Sequence, residues 1–338
     1  MNSQPNQIKT GALKFQERIP GFFKRTESIS LLLCVGMILV MGTTSKYFFN
    51  PYNLESLIVG ISPEGIVSLG MMLLLITGVF DLSVGSVMCL GGLVSAMALT
   101  AGVSVPLAVL LGLGSGALVG TANGLLTEKA GVNPLITTLG MMYIVRSITE
   151  SIIVAQGQTG YSNLPEEFTN IGQGSFLGLY YMFWIMIILC VVFTILISRT
   201  PWGRNIYFLG GNEAAAKAMG IRKDRIRIVL FIVTGVLAAL AGILIDARSG
   251  AATRYIGQNS HMNVIISCVI GGGSLLGGKG NMLGALFGTF FLTLLTNAFN
   301  LYEINQHTQS LTLGIVLIAV VSIDGYLQIR KRRMLGKE

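Results

Sequence analysis

Long apolar runs recur along the whole chain, and they constrain the fold more than any other feature. A helix needs about 20 apolar residues to cross the roughly 30 Å of hydrocarbon in a bilayer, and ten runs reach or approach that length. The runs are Ile29–Thr44, Leu57–Val79, Val84–Ala101, Val105–Leu126, Leu135–Ala155, Leu179–Ile197, Ile228–Ile245, Met262–Ser274, Met282–Asn300 and Thr308–Gln328. They lack strand-like alternation, so helices rather than a β-barrel satisfy their backbone in lipid. The sequence predicts an all-α polytopic integral membrane protein with about ten transmembrane helices.

The number of crossings stays open between eight and ten. The eighth run, Met262–Ser274, is short for a span, and we expect a re-entrant or half-helix segment there. The chain contains 43 glycines, many inside the apolar runs, which predicts a compact bundle with helices that are bent or broken in places. Charged residues make up only 11% of the chain, against about a quarter in soluble domains, which excludes an ordinary soluble fold.

The positive charges predict the orientation of the chain. The net charge is +8, and lysine and arginine concentrate before the first span, in a central loop and at the tail. The positive-inside rule therefore predicts a cytoplasmic segment 1–28, a transmembrane domain 29–328 with a cytoplasmic loop at 199–227, and a basic cytoplasmic tail 329–338. The loop Gln156–Phe176, which lacks lysine and arginine, then lies outside. Because the charge reports orientation, nucleic-acid binding is not expected.

One face of the fourth run carries only glycine. Gly112, Gly116, Gly120 and Gly124 recur at helical spacing, so a neighbouring backbone can approach that face closely. This pattern predicts tight helix packing and indicates little about function.

A glycine-rich stretch follows the eighth run and imitates a phosphate-binding loop. Gly273, Gly278 and Lys279 occupy the GxxxxGK positions, but Gly280 stands where Ser or Thr would hold Mg²⁺. We interpret it as a tight glycine turn at the membrane face. The chain is therefore not expected to hydrolyse ATP.

Five ionisable residues lie in or beside the apolar runs, where such groups are costly and usually face the bundle interior or water. Asp81 is interpreted as a helix cap that accepts N–H groups from the helix starting there. For Glu64, Asp246 and Arg248, an interfacial or salt-bridged role is at least as well supported as contact with a substrate. Arg146 needs a partner that the sequence does not identify.

Neutral polar residues in the runs are the candidates for lining a solute pathway. Hydrogen bonding between helices explains most such residues in any membrane bundle, so we expect only two or three to contact solute. The candidates are Asn123, Thr137, Thr138, Asn263, Ser267 and Asn297, with Gln309 as a further polar residue of this kind.

Catalytic and metal-binding patterns are missing from the sequence. His261 and His307 are isolated, and the four cysteines lie in apolar runs without paired spacing. The chain has no nucleophile elbow and no HExxH motif. We therefore predict no catalytic residue, no metal site and no bound cofactor.

The central loop, Arg199–Arg227, is basic and carries GGNEAAAKAMGI at Gly210–Ile221. Alanine is the best helix former, so this segment should be helical. A compact basic helix between two spans suits docking on another protein at the cytoplasmic face.

Four motifs resemble the permease subunits of ABC importers in the ribose/galactose/xylose group, from about the second span to the tail. The motifs are LLLITGVFDLSVGSVMCLGG (Leu73–Gly92), NGLLTEKAGVNPLITTLGMMYIVRS (Asn123–Ser147), RTPWGRNIYFLGGNEAAAKAMGI (Arg199–Ile221) and VIGGGSLLGGKGNMLGALFG (Val269–Gly288). Each alone is weak, and together they are highly specific.

The resemblance implies that Asn212–Gly220 is a coupling helix inserted into an ATPase subunit. It implies ATPase-coupling roles for Gly210, Gly211, Asn212, Glu213, Ala215, Ala216 and Gly220. The family usually has Glu-Ala-Ala three residues before the glycine, whereas here Glu213 is one position early and Ala214 takes the acidic position. Resemblance does not decide whether Glu213 replaces that glutamate.

The resemblance also implies the partners and the location. This chain would be a non-catalytic permease subunit in a bacterial cytoplasmic (inner) membrane, with both termini inside. A separate ATPase would use ATP and Mg²⁺, a second permease would be the same or a related chain, and a periplasmic or lipid-anchored binding protein would deliver a sugar or related small polar solute.

Two other functions are alternatives to the importer function. An ion-gradient-driven secondary transporter would need Asp81, Asp246 or Glu64 as ion carriers, and it leaves the basic loop unexplained. For a membrane enzyme or a passive channel, the sequence lacks both a catalytic constellation and a ring of pore charges.

The stretches Thr77–Ser86 and Ala241–Ala251 share a small residue, an acid, then Ser and Gly, which suggests an inverted repeat.

Overall fold

The computed structural model describes residues 26–155 and 160–334. The predicted cytoplasmic segment 1–28 lies almost wholly outside the described residues, and so does the end of the predicted tail 329–338.

Helices make up most of the described chain. They are α1 (Thr26–Thr44), α2 (Pro51–Ile76), α3 (Val84–Thr100), α4 (Val105–Glu128), α5 (Pro134–Ala155), α6 (Glu166–Gln173), α7 (Tyr181–Arg199), α8 (Pro201–Gly211), α9 (Glu213–Ala218), α10 (Lys223–Ser249), α11 (Ser260–Ile270), α12 (Met282–Leu301) and α13 (Gln306–Met334). Two small antiparallel pairs complete the fold. Strand β1 (Gly160–Tyr161) pairs with β4 (Ala252–Thr253), and β2 (Ser175–Phe176) pairs with β3 (Leu179–Tyr180).

Each of the ten predicted runs coincides with a helix, which confirms the all-α membrane fold. Among the described residues, six helices are long and apolar enough to cross a membrane by length and composition: α2, α4, α5, α7, α10 and α12. The eighth run forms α11 with only 11 residues, about 16 Å at 1.5 Å per residue. That length is near half the hydrocarbon thickness, as expected for a half-helix. Helix α13 continues to Met334, past the predicted end of the last span.

Two ends of the bundle are used below as reference points. The loop end carries α8 and α9, and the hairpin end carries the β2–β3 hairpin. Helices α2 and α10 run in opposite directions between them. At the hairpin end, Arg248 of α10 pairs with Glu55 of α2 at 3.1 Å. At the loop end, Arg227 of α10 donates to the carbonyl of Thr77, the residue that follows α2, at 2.7 Å.

The core forms around α2 and α10. The second half of α2, from Gly65 to Ile76, is entirely buried, and α10 packs against α2, α3 and α4. Helices α4, α5 and α7 bury only a narrow stripe and leave large apolar side chains exposed. In a membrane protein those outer faces meet lipid or another chain, so their exposure is compatible with the bilayer.

The predicted glycine face of α4 is a close-packed helix contact. A Cβ atom on Gly116 would overlap the carbonyl oxygen of Gly235 in α10, and one on Gly120 would overlap that of Phe231. Gly124 faces Ile228 in the same way, and Gly112 faces α3. The backbones of α4 and α10 therefore touch directly, which only glycine permits.

Leucine at Gly116 should prevent α4 from docking on α10, whereas leucine at Gly114 should be tolerated. A side chain at Gly114 meets open space, and replacing a helical glycine adds helix propensity. Overpacking at Gly116 meets backbone and should destabilise the protein by about 1–3 kcal/mol or more. Thermal denaturation in detergent, followed by size-exclusion chromatography, compares the two variants. Equal melting temperatures would contradict the direct backbone contact.

Two long helices end in non-helical breaks. Residues 77–83 connect α2 to α3, and residues 250–259 connect α10 to the short α11. The second break touches the first turn of α3, because a Cβ atom on Gly85 or on Gly257 would overlap the carbonyl oxygen of the other. Gly257 has φ of 70°, a conformation that favours glycine.

These two breaks give the suggested inverted repeat a structural counterpart. In each half a long helix is followed by a break and then a shorter helix, and α2 and α10 run in opposite directions. The stretch Thr77–Ser86 spans the first break. The stretch Ala241–Ala251 instead lies mostly within α10 and reaches only the start of the second break. The two halves therefore correspond in their order of elements, a long helix, a break and a shorter helix. The two short sequence stretches do not occupy equivalent positions in that order.

Candidate functional site

The central loop folds into two short helices rather than one. The Thr200 side chain accepts a hydrogen bond from the Gly203 N–H at 3.1 Å, and Pro201 occupies the first turn, so α8 has a regular helix start. Sequence analysis did not predict α8, although this Thr-Pro pair marks its beginning. The predicted loop also ends earlier, because α10 begins at Lys223.

Helix α9 lies within the predicted coupling segment Asn212–Gly220. Asn212 closes α8 and caps α9 by accepting the Ala215 N–H at 3.0 Å. Gly220 ends the segment with φ of 78°, and the space around its Cα is open. Ala216 is buried against the bundle, while Met219 is 58% exposed. The helix therefore has one face held by the bundle and one free face.

Ion pairs hold the start of α9 against the ends of α4 and α10. Glu213 pairs with Lys223 at 2.8 Å and with Arg227 at 3.3 Å, and Arg227 also pairs with Glu128 at 3.3 Å. The Glu128 side chain is 1% exposed and that of Arg227 is 10% exposed. The hydrogen bond from Lys223 lowers the pKa of Glu213, so this carboxylate stays ionised near neutral pH. Glu213 thus makes a salt contact despite its shifted position.

The same network reaches the first break. Arg227 donates to the Thr77 carbonyl, so one guanidinium contacts α9, α4 and the end of α2. Lys129 and Asp224 form a further ion pair beside it. A displacement of α9 would therefore be transmitted to the break between α2 and α3 through direct contacts.

Gly210 connects the loop to the predicted glycine turn. A Cβ atom on Gly210 would overlap the Ile76 carbonyl oxygen and approach the Gly278 nitrogen. Gly278 has φ of 75°, and its N–H donates to the Ile76 carbonyl oxygen at 2.8 Å. Gly273 lies in the same turn against Met72. The turn is therefore a joint between α2 and the loop, whereas Gly211 is exposed with open space around it.

Asp81 does not cap α3 in the way interpreted from the sequence, because the N–H group it accepts belongs to Ser83, the residue before the helix. Its carboxylate accepts the Ser83 N–H at 2.7 Å and the Ser83 hydroxyl at 2.6 Å. Asn123 of α4 donates to the other carboxylate oxygen at 3.2 Å and to the Ser83 hydroxyl at 2.9 Å. This buried cluster fixes the first break, and it accounts for the polar side chain of Asn123 without a solute.

A polar cleft lies between α2, α11 and α12. Its volume is ≈ 200 Å³. It is lined by Ser56, Leu57, Gly60, Glu64, Asn263, Thr293, Thr296, Asn297 and Asn300. At its floor, the Asn263 amide donates to the Glu64 carboxylate at 3.0 Å. At its wall, Asn297 exchanges amide hydrogen bonds with Asn53 at 2.6 and 3.2 Å.

The structure brings only part of the predicted pathway set together. Asn263 and Asn297 line the cleft, and sequence analysis did not place Glu64 with them. Asn123 lies in the Asp81 cluster. The hydroxyls of Thr137, Thr138 and Ser267 are buried and, within the described residues, have no hydrogen-bond partner. The pathway roles of these residues stay predictions.

Arg146 has backbone partners that no sequence pattern could identify. It donates to the carbonyls of Arg254 and Ile256 at 3.0 Å each, and to that of Gly85 at 3.3 Å. One carbonyl from the first turn of α3 and two from the second break therefore share one guanidinium. A fork of five N–H donors suits this arrangement.

The two remaining ionisable residues differ in their surroundings. Arg248 has the expected salt bridge with Glu55, and Tyr180 contacts both. Asp246 is 1% exposed and packs against Gly92. Neither of its carboxylate oxygens has a hydrogen-bond partner within residues 26–155 and 160–334, so the salt-bridged alternative for Asp246 is wrong there. Over the same residues, no cluster of His, Cys, Asp and Glu could hold a metal ion.

Comparisons with known proteins place this chain among transport permeases. Residues 53–321 match a family described as "Branched-chain amino acid transport system / permease component". The ribose import permease protein of Haemophilus influenzae is 33% identical over 308 residues, which cover 90% of this chain and 95% of that protein. The L-arabinose ABC transporter permease protein of Azospirillum brasilense is 33% identical over 294 residues, or 87% and 86% of the two chains. No solved structure is significantly similar to the chain.

Proposed function

The chain belongs to this permease family, and we propose that it is the membrane-spanning, non-catalytic subunit of an ATP-driven importer for a sugar or related small polar solute. The anchored α9 supports the coupling to ATP most directly. Glu213 at the start of α9 pairs with Lys223 and Arg227 of α10, and Arg227 in turn pairs with Glu128 of α4 and donates to the carbonyl at the end of α2. A helix connected in this way can transmit force from a partner into the membrane.

The proposed partners follow the charge pattern and the relatives. The loop end faces the cytoplasm, where ATPase subunits use ATP and Mg²⁺ and contact α9. The hairpin end faces outside, where a periplasmic or lipid-anchored binding protein delivers the solute. A second permease chain, identical or related, completes the pathway. The protein lies in the bacterial cytoplasmic membrane, with both termini on the cytoplasmic side.

The relatives favour a sugar over a branched-chain amino acid. The family description names branched-chain amino acids, but the compared proteins are named for ribose and L-arabinose. The polar cleft at Glu64 offers carboxylate and amide groups, which suit hydroxyls better than a leucine side chain. An ion-gradient-driven transporter is the weaker alternative, because those relatives are import permeases and Asp81 is occupied in a structural cluster.

Arginine at Gly220 should release the ATPase, whereas arginine at Gly131 should not. Both glycines have positive φ, 78° and 71°, and both have open surroundings in turns at the loop end. Each change therefore carries a similar backbone penalty of about 1–2 kcal/mol. Only Gly220 borders the free face of α9.

The measurement is co-purification of the ATPase with the tagged permease from mild detergent, followed by ATP-dependent uptake of ribose or L-arabinose in proteoliposomes with the binding protein. We expect wild type and the Gly131→Arg variant to retain the ATPase and to transport. A folded Gly220→Arg variant that keeps the ATPase and transports normally would refute the coupling role of α9. Uptake that needs an ion gradient and no ATPase would refute the importer proposal.

A further inference from the structure

We infer that the cleft between α2, α11 and α12 is a binding site for a neutral polyhydroxy solute, with the Glu64 carboxylate as its main hydrogen-bond acceptor. This inference rests on the proposed importer function for its biological meaning. The binding chemistry itself is testable on the permease alone.

The cleft runs inward from the hairpin end. Ser56, Gly60 and Glu64 lie one helical turn apart on α2, so they span about 12 Å along the helix axis at 1.5 Å per residue. Ser56 and Gly60 are exposed, whereas Glu64 is partly buried. Helix α12 supplies Thr293 and other polar residues to the opposite wall. The cleft therefore opens at one end of the bundle and narrows to a carboxylate within a span.

Structural pairing does not account for the Glu64 carboxylate. It accepts a hydrogen bond from Asn263 at 3.0 Å, and no cation pairs with it within residues 26–155 and 160–334. By contrast, Glu128 and Glu55, at the two ends of the bundle, each pair with an arginine. An ionisable group within a span is costly and points to function unless its partners explain it. Here the Glu64 carboxylate lines a cavity and does not face a cation among the described residues.

The groups that line the cleft can accept hydrogen bonds from solute hydroxyls and can also donate hydrogen bonds to them. A carboxylate accepts hydrogen bonds from hydroxyl donors, and such charge-assisted bonds are stronger than neutral ones. The amide of Asn263 and the hydroxyl of Thr296 can both donate and accept, whereas the Thr293 hydroxyl, which donates to the Thr289 carbonyl at 2.9 Å, can accept. A sugar can use all of these groups at once. Leucine would place its apolar side chain against polar groups and its own carboxylate near Glu64, which is unfavourable.

The backbone of α2 supports the position of Glu64. Pro63 lacks an N–H group and therefore leaves the Val59 carbonyl without its helical donor, while Ser62 donates its hydroxyl to the Ile58 carbonyl at 2.6 Å. This turn therefore lacks one bond of the helical ladder and carries one additional side-chain bond. A helix weakened at this turn can adjust as solute enters or leaves.

Thiol labelling tests the site without any ATPase. The four native cysteines are buried, so a cysteine at Thr293 would be the accessible thiol. Thr289, one turn away on α12, is fully buried and provides a matched control. We expect a charged methanethiosulfonate reagent to modify the Thr293→Cys protein and not the Thr289→Cys protein. D-ribose or L-arabinose at saturating concentration should slow that modification several-fold, and L-leucine should not.

Glutamine at Glu64 tests the acceptor in the whole complex. Because the hydrogen bond to a charged acceptor is lost, the KM for the sugar should rise about tenfold or more. ATPase co-purification should be unchanged. The Glu167→Gln variant, at an exposed position of α6, should match wild type.

The outcomes separate the two proposals. If Thr293→Cys is not labelled, or if leucine protects it as well as the sugars do, the binding site is refuted whatever the complex transports. An unchanged KM for a well-folded Glu64→Gln protein refutes the acceptor role. Should the ATPase fail to associate with wild type while sugar still protects the thiol, the importer proposal falls and the site stands.

Discussion

Replacing Arg227 with methionine is expected to lower the free energy of unfolding by about 3–5 kcal/mol, the usual loss when one partner of a buried ion pair is removed. The Glu128 carboxylate would stay buried and lose its 3.3 Å contact, and the Thr77 carbonyl would lose its charged donor. Lys223, 3.7 Å from Glu128, remains as weak compensation and keeps the loss near the lower limit.

Matched variants separate this effect from simple loss of charge. Arg225 lies in the same turn of α10 and is exposed, so the Arg225→Met variant should change stability by less than about 0.5 kcal/mol. Adding Glu128→Gln to Arg227→Met removes the uncompensated charge and should restore part of the lost stability. Reversible unfolding in mixed micelles measures all three variants. Equal values for Arg227→Met and Arg225→Met would contradict the network.

The same variant should also uncouple transport from ATP use. With Arg227 gone, α9 keeps the Lys223–Glu213 pair but loses the connection through Arg227 to the Thr77 carbonyl. In proteoliposomes we expect ATP hydrolysis to continue while the amount of sugar imported per ATP falls. An unchanged ratio would show that motion of α9 reaches the membrane helices by another route.

The sequence predicted the elements of the fold because hydrophobic periodicity is a local property. Ten apolar runs became ten helices, and the short eighth run became the half-length α11. The glycine face of α4 could also be predicted, since helical spacing alone places Gly116 and Gly120 on one side of the helix. Helix α8 was not predicted because glycine and arginine interrupt its apolar residues. The Thr-Pro pair at its start is its only helix signal in the sequence.

The candidate sites could be predicted only in part, because they join residues far apart in the chain. The coupling segment was recognised through its own composition, but its anchor at Arg227 lies in the next helix. Glu64 and Asn263 meet across 199 positions, and either alone looks like an ordinary polar residue in a span. Packing therefore decided which polar residues share a cavity, as it decided that Asp246 is buried without a partner among the described residues.

Removing the guanidinium of Arg146 is expected to have the second large effect, because this side chain joins the first turn of α3 to the second break. An Arg146→Met protein leaves three carbonyls, those of Gly85, Arg254 and Ile256, without their donor. Each unsatisfied buried carbonyl costs about 1–3 kcal/mol, and partial access to water reduces the sum. We expect a loss of about 3 kcal/mol and little transport.

Lysine at Arg146 and methionine at Arg254 distinguish geometry from charge. A lysine keeps the charge but lacks the planar fork, so the Arg146→Lys protein should be intermediate in stability and still poor in transport. Arg254 bonds the Tyr255 hydroxyl at the surface, so the Arg254→Met protein should resemble wild type. Melting temperature and sugar uptake per copy of permease are the two measurements. If Arg146→Lys transports at the wild-type rate, this contact needs only a positive charge, and the forked bonding to α3 and the second break has no part in the transport cycle.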